Sequence, residues 1–447
     1  MEGKKFPMDD KNALDSRLSG FHTWPLPERL TKIQTLLGLS EAELHALKPE
    51  GSLGLGTAVQ MIENTIGVFS LPMGLATNFK VNQCDYLVPM VVEEPSVLAA
   101  VSFAAKMVRA AGGFEAETDG SWMIGQVQVT QFGAPDKANR TLLAHKEAIL
   151  ELANSTHPNM LKRGGGAKDM EVRLLPAPEG PRGEPLLVVH LVVDAQEAMG
   201  ANLVNTMAEA VAPLIEELTG GKVFLRILSN LADRRLARAK CRIPVSLLGT
   251  SEMSGEAVAE GVVQASRFAM ADPYRAATHN KGIMNGIDAM AIAAGQDFRA
   301  IEAGAHAFAC RDGQYRPLST WALEGHELIG RIELPLALGT VGGPIQIHPG
   351  VQAVFKILRI QSVHELAMVM ASVGLAQNFA AVRALGSVGI QRGHMAMHAR
   401  SVAMAAGATP EEVADIAQAL VASKDIKVDK ARVLLAALRA NNKGPSV

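Results

Sequence analysis

The run Trp122-Met123-Ile124-Gly125-Gln126-Val127-Gln128-Val129-Thr130 marks a change of texture in the chain. From Gln126 to Thr130 polar and apolar residues alternate, the period-two pattern of a half-exposed strand. The spacing downstream predicts a helix over 136–153, a glycine loop at 164–166, and strands over 169–175 and 185–194. Turn-rich 176–183 joins those two strands as a hairpin, and a helix over 199–218 and a strand over 223–228 complete the set. Elements in that order make a separate α+β unit over 121–228.

Upstream, Leu30, Ile33, Leu36 and Leu37 recur at helical spacing, and Ser40 can cap a second, short helix. A strand over 86–92 ends at Glu93-Glu94-Pro95, and a helix of small residues over 97–111 is closed by Gly112 and Gly113. Glu94 therefore sits at a strand-to-helix junction. Downstream, 255–309 is rich in Ala and Gly with few large side chains, as closely packed helices require, and such packing suits a buried site. Thr409, Pro410 and Glu412 read as a capping box with proline at the first helical position, and an amphipathic segment spans 428–438. Those two features make a small helical C-terminal unit, and no solenoid-length repeat runs through the chain.

The 447 residues are 48% hydrophobic, enough for a large core divided among a few domains. Forty-three basic against forty-five acidic residues leave a net charge of −2, so no broad basic field is available for nucleic acid or an anionic membrane. Cys84, Cys241 and Cys310 are odd in number and widely spaced, fitting neither a disulfide framework nor a zinc pattern and pointing to a reducing cytoplasm. The polar opening lacks the apolar core of a secretory signal and reads as a loose tail. The strongest apolar run, 186–193, is broken by His190 and is far short of the ~20 residues of a membrane span. A soluble protein is expected.

Asp272-Pro273-Tyr274-Arg275-Ala276-Ala277-Thr278-His279-Asn280-Lys281-Gly282 places three basic groups in an otherwise small, apolar region. Lys281 beside Gly282 can approach a carbonyl oxygen as it gains charge, and Arg275 can hold a carboxylate through two parallel hydrogen bonds. The same residues read equally as a solvated loop. Asp297, ahead of a helical stretch, reads first as an N-cap. Glu94 is ambiguous: a helix start stabilises the anion, whereas a proton donor needs burial or a second carboxylate such as Asp297. His394 and His398 are one turn apart, but Met395 stands where a zinc-protease helix needs Glu, so no metal is expected. For a cofactor, neither GxGxxG nor GxxxxGK[ST] occurs. The run Glu197-Ala198-Met199-Gly200-Ala201-Asn202-Leu203-Val204-Asn205 starts a helix whose free amides can face a pyrophosphate, with Gly200 permitting close approach, and 164–166 is a weaker alternative.

Six ordered motifs together resemble the class II, bacterial-type hydroxymethylglutaryl-CoA (HMG-CoA) reductases, over 14–438. They are Glu63-Asn64-Thr65-Ile66-Gly67, Glu93-Glu94-Pro95-Ser96, Ala198-Met199-Gly200-Ala201-Asn202, Arg226-Ile227-Leu228-Ser229-Asn230, the 272–286 segment and 389–395. The resemblance implies an α+β fold: a large mixed α/β substrate and dimerisation domain (1–120 and 229–387), an inserted ferredoxin-like cofactor domain (121–228), and a helical C-terminal flap (388–447). It implies that Glu94, Lys281, Asp297 and His394 are catalytic. Lys281 would stabilise the oxyanion in each of two hydride transfers, Glu94 would move a proton, and Asp297 would tune both. His394 would protonate the departing CoA thiolate before it re-attacks mevaldehyde.

By the same resemblance Arg275 takes the substrate carboxylate with Ser96 and Asn285 nearby. Glu197, Met199, Gly200, Ala201, Asn202, Asn205 and Asn230 would contact the dinucleotide, with Glu197 standing where relatives have Asp. His157 occupies the position at which NADH-preferring relatives carry an aspartate, with Lys162 and Arg163 close in sequence. The likeness still implies NAD(H) first and NADP(H) as the alternative, with HMG-CoA, mevalonate and CoA as reactants. It further implies a cytoplasmic homodimer through the Glu63–Gly67 motif, or a trimer of dimers. A non-catalytic binder of CoA esters with the same fold is the competing reading, and it needs none of the four catalytic groups.

Overall fold

Ten strands form two sheets in the computed structural model, which describes residues 14–176, 185–387 and 390–442, leaving aside the side chains of 390–397, 441 and 442. Strands β1 (Met73–Val81), β2 (Cys84–Val91), β3 (Phe114–Thr118), β8 (Leu236–Pro244), β9 (Ser319–Glu324) and β10 (Glu327–Pro335) make a mixed sheet in the order β2-β1-β3-β8-β10-β9. Its β1–β3 pair is parallel and the others are antiparallel. In β8 the period-two rule is plain: Ala237, Ala239, Cys241 and Ile243 are buried, while Arg238, Lys240 and Arg242 point the other way.

The buried face packs on helices Val97–Ala110, Gly255–Ala271, Pro273–Ala293 and Val363–Leu385. Leu366, Val369, Met370, Val373, Leu375 and Phe379 of the last are fully buried. This helix is long and apolar enough to cross a membrane by composition, yet it is the spine of the core. Glu365, Gln377 and Asn378 interrupt its apolar sequence. The small-residue composition has the expected effect: a Cβ on Gly286 would lie 2.9 Å from the Gln377 side chain, and one on Gly374 would lie 2.9 Å from the Ile287 side chain, so each glycine makes room for a side chain of the opposite helix.

Strands β4 (Trp122–Thr130), β5 (Gly166–Leu175), β6 (Leu186–Asp194) and β7 (Lys222–Ser229) form the second sheet, all antiparallel, in the order β5-β6-β4-β7. A strand, helices, two strands, a helix and a strand in that order make the ferredoxin-like arrangement. Helices Lys146–Ser155 and Ala201–Thr219 cover it, and Met123, Val127, Leu142, Ile149, Val204, Met207 and Ile215 fill a core of its own. His190 is tolerated inside β6 because Gln126, its cross-strand partner, bonds its Nε2 at 2.9 Å, and burial lowers its pKa. The hairpin turn expected at 176–183 lies outside the described residues except Pro176.

Three local readings are corrected. The helix expected over 136–153 is two, Pro135–Ala144 and Lys146–Ser155, divided at His145, whose Nδ1 lies 2.8 Å from the Thr141 carbonyl and competes with the helical bond. The helix expected from Met199 begins at Ala201, after Gly200 at φ 105°. At the C-terminal unit, Glu412 accepts from the Thr409 amide, but the residues after Thr409 form a turn and the helix runs Val413–Ser423. Ala399, Val402, Leu420 and Leu435 join this helix to Ile390–Ala405 and Val428–Asn442 in a third small core.

Candidate active site

The 272–282 segment is helical, not a loop. Asp272 accepts from the amides of Tyr274 (3.2 Å) and Arg275 (3.3 Å), and Pro273 takes the first turn of helix Pro273–Ala293. The rotation of that helix is fixed by two buried polar residues. Asn280 donates to the Arg316 carbonyl at 2.9 Å and accepts from the Leu318 amide at 2.9 Å. His279 meets Ser319 Oγ at 2.8 Å and the Asn378 amide at 3.0 Å. Burial pushes His279 down to about 4, so it is neutral and structural.

With that face locked inward, Lys281 and Asn285, one turn apart, meet Glu94. Lys281 Nζ is 3.0 Å from Glu94 Oε2, and Asn285 Nδ2 is 3.5 Å from the same oxygen. Glu94 reaches them from a turn in which Ser96 has φ 81°, a left-handed conformation costing a non-glycine residue about 1–2 kcal/mol. Arg275 is half-buried, and among the described residues it makes no ion pair or side-chain hydrogen bond. Burial lowers its pKa from the ordinary value.

Asp297 is the N-cap of helix Phe298–Ala309, accepting from the Ala300 amide at 3.2 Å, with Arg299 at 3.4 Å. It makes no direct bond to Lys281 among the described residues. Asp288, further along the Lys281 helix, faces Glu302, and burial together with that second carboxylate raises its pKa. Glu302 pairs with His306 at 2.7 Å, and His306 Nδ1 meets the Tyr315 hydroxyl at 2.6 Å. His394 has its backbone in helix Ile390–Ala405, and its side chain is outside the described residues.

A profile of the hydroxymethylglutaryl-coenzyme A reductase family matches residues 26–399. The 3-hydroxy-3-methylglutaryl-coenzyme A reductase of Archaeoglobus fulgidus is 50% identical over 431 residues, 96% of each chain. The chain belongs to the class II HMG-CoA reductases. Solved structures agree. A Streptococcus pneumoniae 3-hydroxy-3-methylglutaryl-coenzyme A reductase is 45% identical, with TM-score 0.80 over 94% of this chain and 99% of the other. A class II enzyme from the same organism, bound to NADPH in open conformations, is 46% identical with TM-score 0.78 over 93% of this chain and 100% of the other.

The reductase residues assigned by likeness to a dinucleotide lie around the end of β6. No side chain caps helix Ala201–Thr219, so its first amides are unclaimed by a cap, and a Cβ on Gly200 would strike Ala195 Cβ at 2.8 Å. That start fits an anionic group. Of the 164–166 glycines, two serve packing: a Cβ on Gly165 would meet the Asp194 carbonyl at 2.8 Å, and one on Gly166 would meet Asn154 at 2.5 Å. Asn205 Oδ1 accepts from the Leu228 amide at 2.9 Å, fixing β7 to the helix, and Asn230 is exposed just beyond β7. His157 Nδ1 is 2.8 Å from Thr156 Oγ1, and Lys162 and Arg163 are exposed close by in sequence. Glu197 is partly committed, its Oε2 accepting from the Val363 amide at 2.8 Å and from Thr340.

A cavity of about 540 Å³ lies elsewhere, over the charged face of β3, β8 and β10 between Glu115, Arg238, Lys240 and Glu333. None of Glu94, Lys281, Asn285, Arg275 or Asp297 lines it. Three residues without a site motif of their own touch the site's frame: Arg235, Gln296 and Gly339. Only Gln296 carried a local signal, its place beside Asp297.

Proposed function

We propose that the protein interconverts HMG-CoA and mevalonate plus CoA in a four-electron reaction that uses two nicotinamide dinucleotides per turnover. The observation that carries this reading is the convergence of Lys281 and Asn285 on one oxygen of Glu94, an ammonium beside a carboxyl group. A bound nicotinamide supplies hydride to the substrate carbonyl, or accepts it in reverse. Lys281 stabilises the oxygen as it becomes negative, first on the thioester carbon and then on the aldehyde carbon. Glu94 delivers the proton that turns the second oxyanion into the alcohol, and Asp297 holds the local field. His394 protonates the CoA thiolate as the hemithioacetal mevaldyl-CoA collapses to mevaldehyde. Arg275, which makes no ion pair or side-chain hydrogen bond among the described residues, receives the substrate carboxylate beside Ser96 and Asn285.

The 121–228 unit is the cofactor domain, 229–387 with the N-terminal segment binds HMG-CoA, and the C-terminal helices act as a flap. Lys281 is 63% and Glu94 39% exposed, too open for a reaction that must exclude water. A second subunit supplies the cover. Leu55, Val59, Ile62, Ile66 and Phe69 present a row of exposed apolar side chains around the Glu63–Gly67 motif, and Ile66 is wholly exposed. We assign this strip to a dimer interface and the enzyme to the cytoplasm.

NAD(H) is the cofactor implied by overall likeness. A second reading is favoured by His157, Lys162 and Arg163, since the stretch 154–163 carries no carboxylate to repel a ribose 2′-phosphate. We therefore assign NAD(H) with NADP(H) also accepted. Purified protein given mevalonate, CoA and either oxidised dinucleotide is expected to generate reduced nicotinamide absorbance. Silence with both defeats the proposal. His157→Asp is expected to raise the NAD(H)-to-NADP(H) rate ratio, and an unchanged ratio would remove residue 157 from the choice.

A further inference from the structure

Leu336 and Leu338 belong to the large core, while Ala337 between them belongs to the small one. The strap they begin is pinned at three successive residues. Arg235, 5% exposed, donates through Nη2 to the Leu338 carbonyl at 2.6 Å. Gln296 grips Gly339 on both sides, its Oε1 accepting from the Gly339 amide at 2.8 Å and its Nε2 donating to the Gly339 carbonyl at 3.0 Å. Thr340 donates its amide to the Glu197 carbonyl at 2.8 Å and its hydroxyl to the Glu197 carboxylate.

The other side of this strap is the turn that precedes helix Ala201–Thr219. A Cβ on Gly339 would lie 2.8 Å from the Met199 nitrogen, so the strap and the turn touch backbone to backbone. The same Arg235 guanidinium also donates to the carbonyls of Met199 at 3.1 Å and Ala198 at 3.3 Å. Among the described residues its hydrogen-bond partners are carbonyls alone. A charged group so deeply buried without a hydrogen-bonded carboxylate is costly, and it is kept where its fork holds several chain segments at once. Gln296 in turn is covalently next to Asp297.

We propose that Gln296 and Arg235 are positioning residues that register the dinucleotide-facing turn 197–200 against the catalytic Asp297 through the strap 338–340. The inference rests on the reductase reading. Gln296 sets the Asp297 side of the brace, and Arg235 sets the cofactor side. Loss of either grip lets the turn drift from the carboxylate while leaving Arg275 and the thioester side in place.

The test is Gln296→Ala, with Gln296→Glu as the conservative partner that keeps the acceptor for the Gly339 amide but loses the donor. Without thioester present, titration of NADH and NADPH into Gln296→Ala is expected to show the dissociation constant raised about tenfold, the scale of one net hydrogen bond. Amide hydrogen exchange at 197–201 is expected to accelerate, the KM for HMG-CoA to stay unchanged, and Gln296→Glu to fall between. Arg235→Lys, which keeps the charge and loses the fork, is expected to show the same split. A lowered melting temperature with unchanged dinucleotide affinity and unchanged exchange at 197–201 would make the brace merely structural and overturn the inference. Wild-type protein that binds neither dinucleotide defeats the reductase reading itself, whereas faster exchange at 197–201 in the variant still reports the brace.

Discussion

Replacing Lys281 with alanine separates two quantities that a structural lysine would move together. In the resting protein the Lys281–Glu94 pair is an ion pair at 3.0 Å with both side chains substantially exposed. Exposed pairs contribute roughly 0.2–1 kcal/mol, so the substitution should shift the melting temperature by only a degree or two. The oxyanion has a different claim on the ammonium. Removing one preorganised donor from a developing negative oxygen costs about 10²–10³ in kcat. Glu94 retains Asn285 at 3.5 Å, and Arg275 is untouched, so HMG-CoA binding should persist. The assay compares initial nicotinamide oxidation, calorimetric melting and equilibrium binding of HMG-CoA for both proteins. Hydride transfer should fall by at least about a hundredfold with binding and melting nearly unchanged. A turnover within about fivefold of wild type would refute the role, and a loss of rate matched by a loss of folded protein would refute the reasoning.

Arg275→Met should raise the KM for HMG-CoA roughly tenfold to a hundredfold, the worth of a hydrogen-bonded charge, without changing the KM for dinucleotide; equal effects on both would displace Arg275 from the carboxylate. His394→Gln should spare reduction of added mevaldehyde relative to reduction of the thioester, and equal loss of both contradicts thiolate protonation. Asp288 titrates above the carboxylate range in the folded state because it is buried against Glu302, so the native state holds a proton that the unfolded chain releases. Its contribution is therefore full below the unfolded value of 3.8 and is lost as pH rises toward the folded value. Asp288→Asn should flatten the decline in melting temperature across that window, and parallel curves for the two proteins would reject the assignment.

The sheet of the small unit was legible because its strands obey local rules: Gln126 to Thr130 alternates, and β6 is a short apolar run that follows a stretch rich in Pro and Gly in the sequence. Glu94 at a strand-to-helix junction and Asp297 as an N-cap followed from neighbours in sequence, and both hold. What stayed hidden depends on contacts distant in sequence. The 272–282 helix buries His279 and Asn280 against Ser319, Asn378, Arg316 and Leu318, and that burial, not periodicity, turns Lys281 toward Glu94. The polar cluster of Asp288, Glu302, His306 and Tyr315 joins groups from two helices and a loop and leaves no local trace. Arg235 sits in a run of charges, Arg234-Arg235-Leu236-Ala237-Arg238, which reads as surface, although Arg235 is buried where two cores meet.

The central claim is a four-electron reaction that ends in a free thiol. It is tested most directly by letting limiting HMG-CoA run to completion with excess reduced dinucleotide, and measuring thiol released against nicotinamide oxidised. Two nicotinamides oxidised for each thiol is the predicted result. One per thiol, or thiol released with no oxidation, would contradict it.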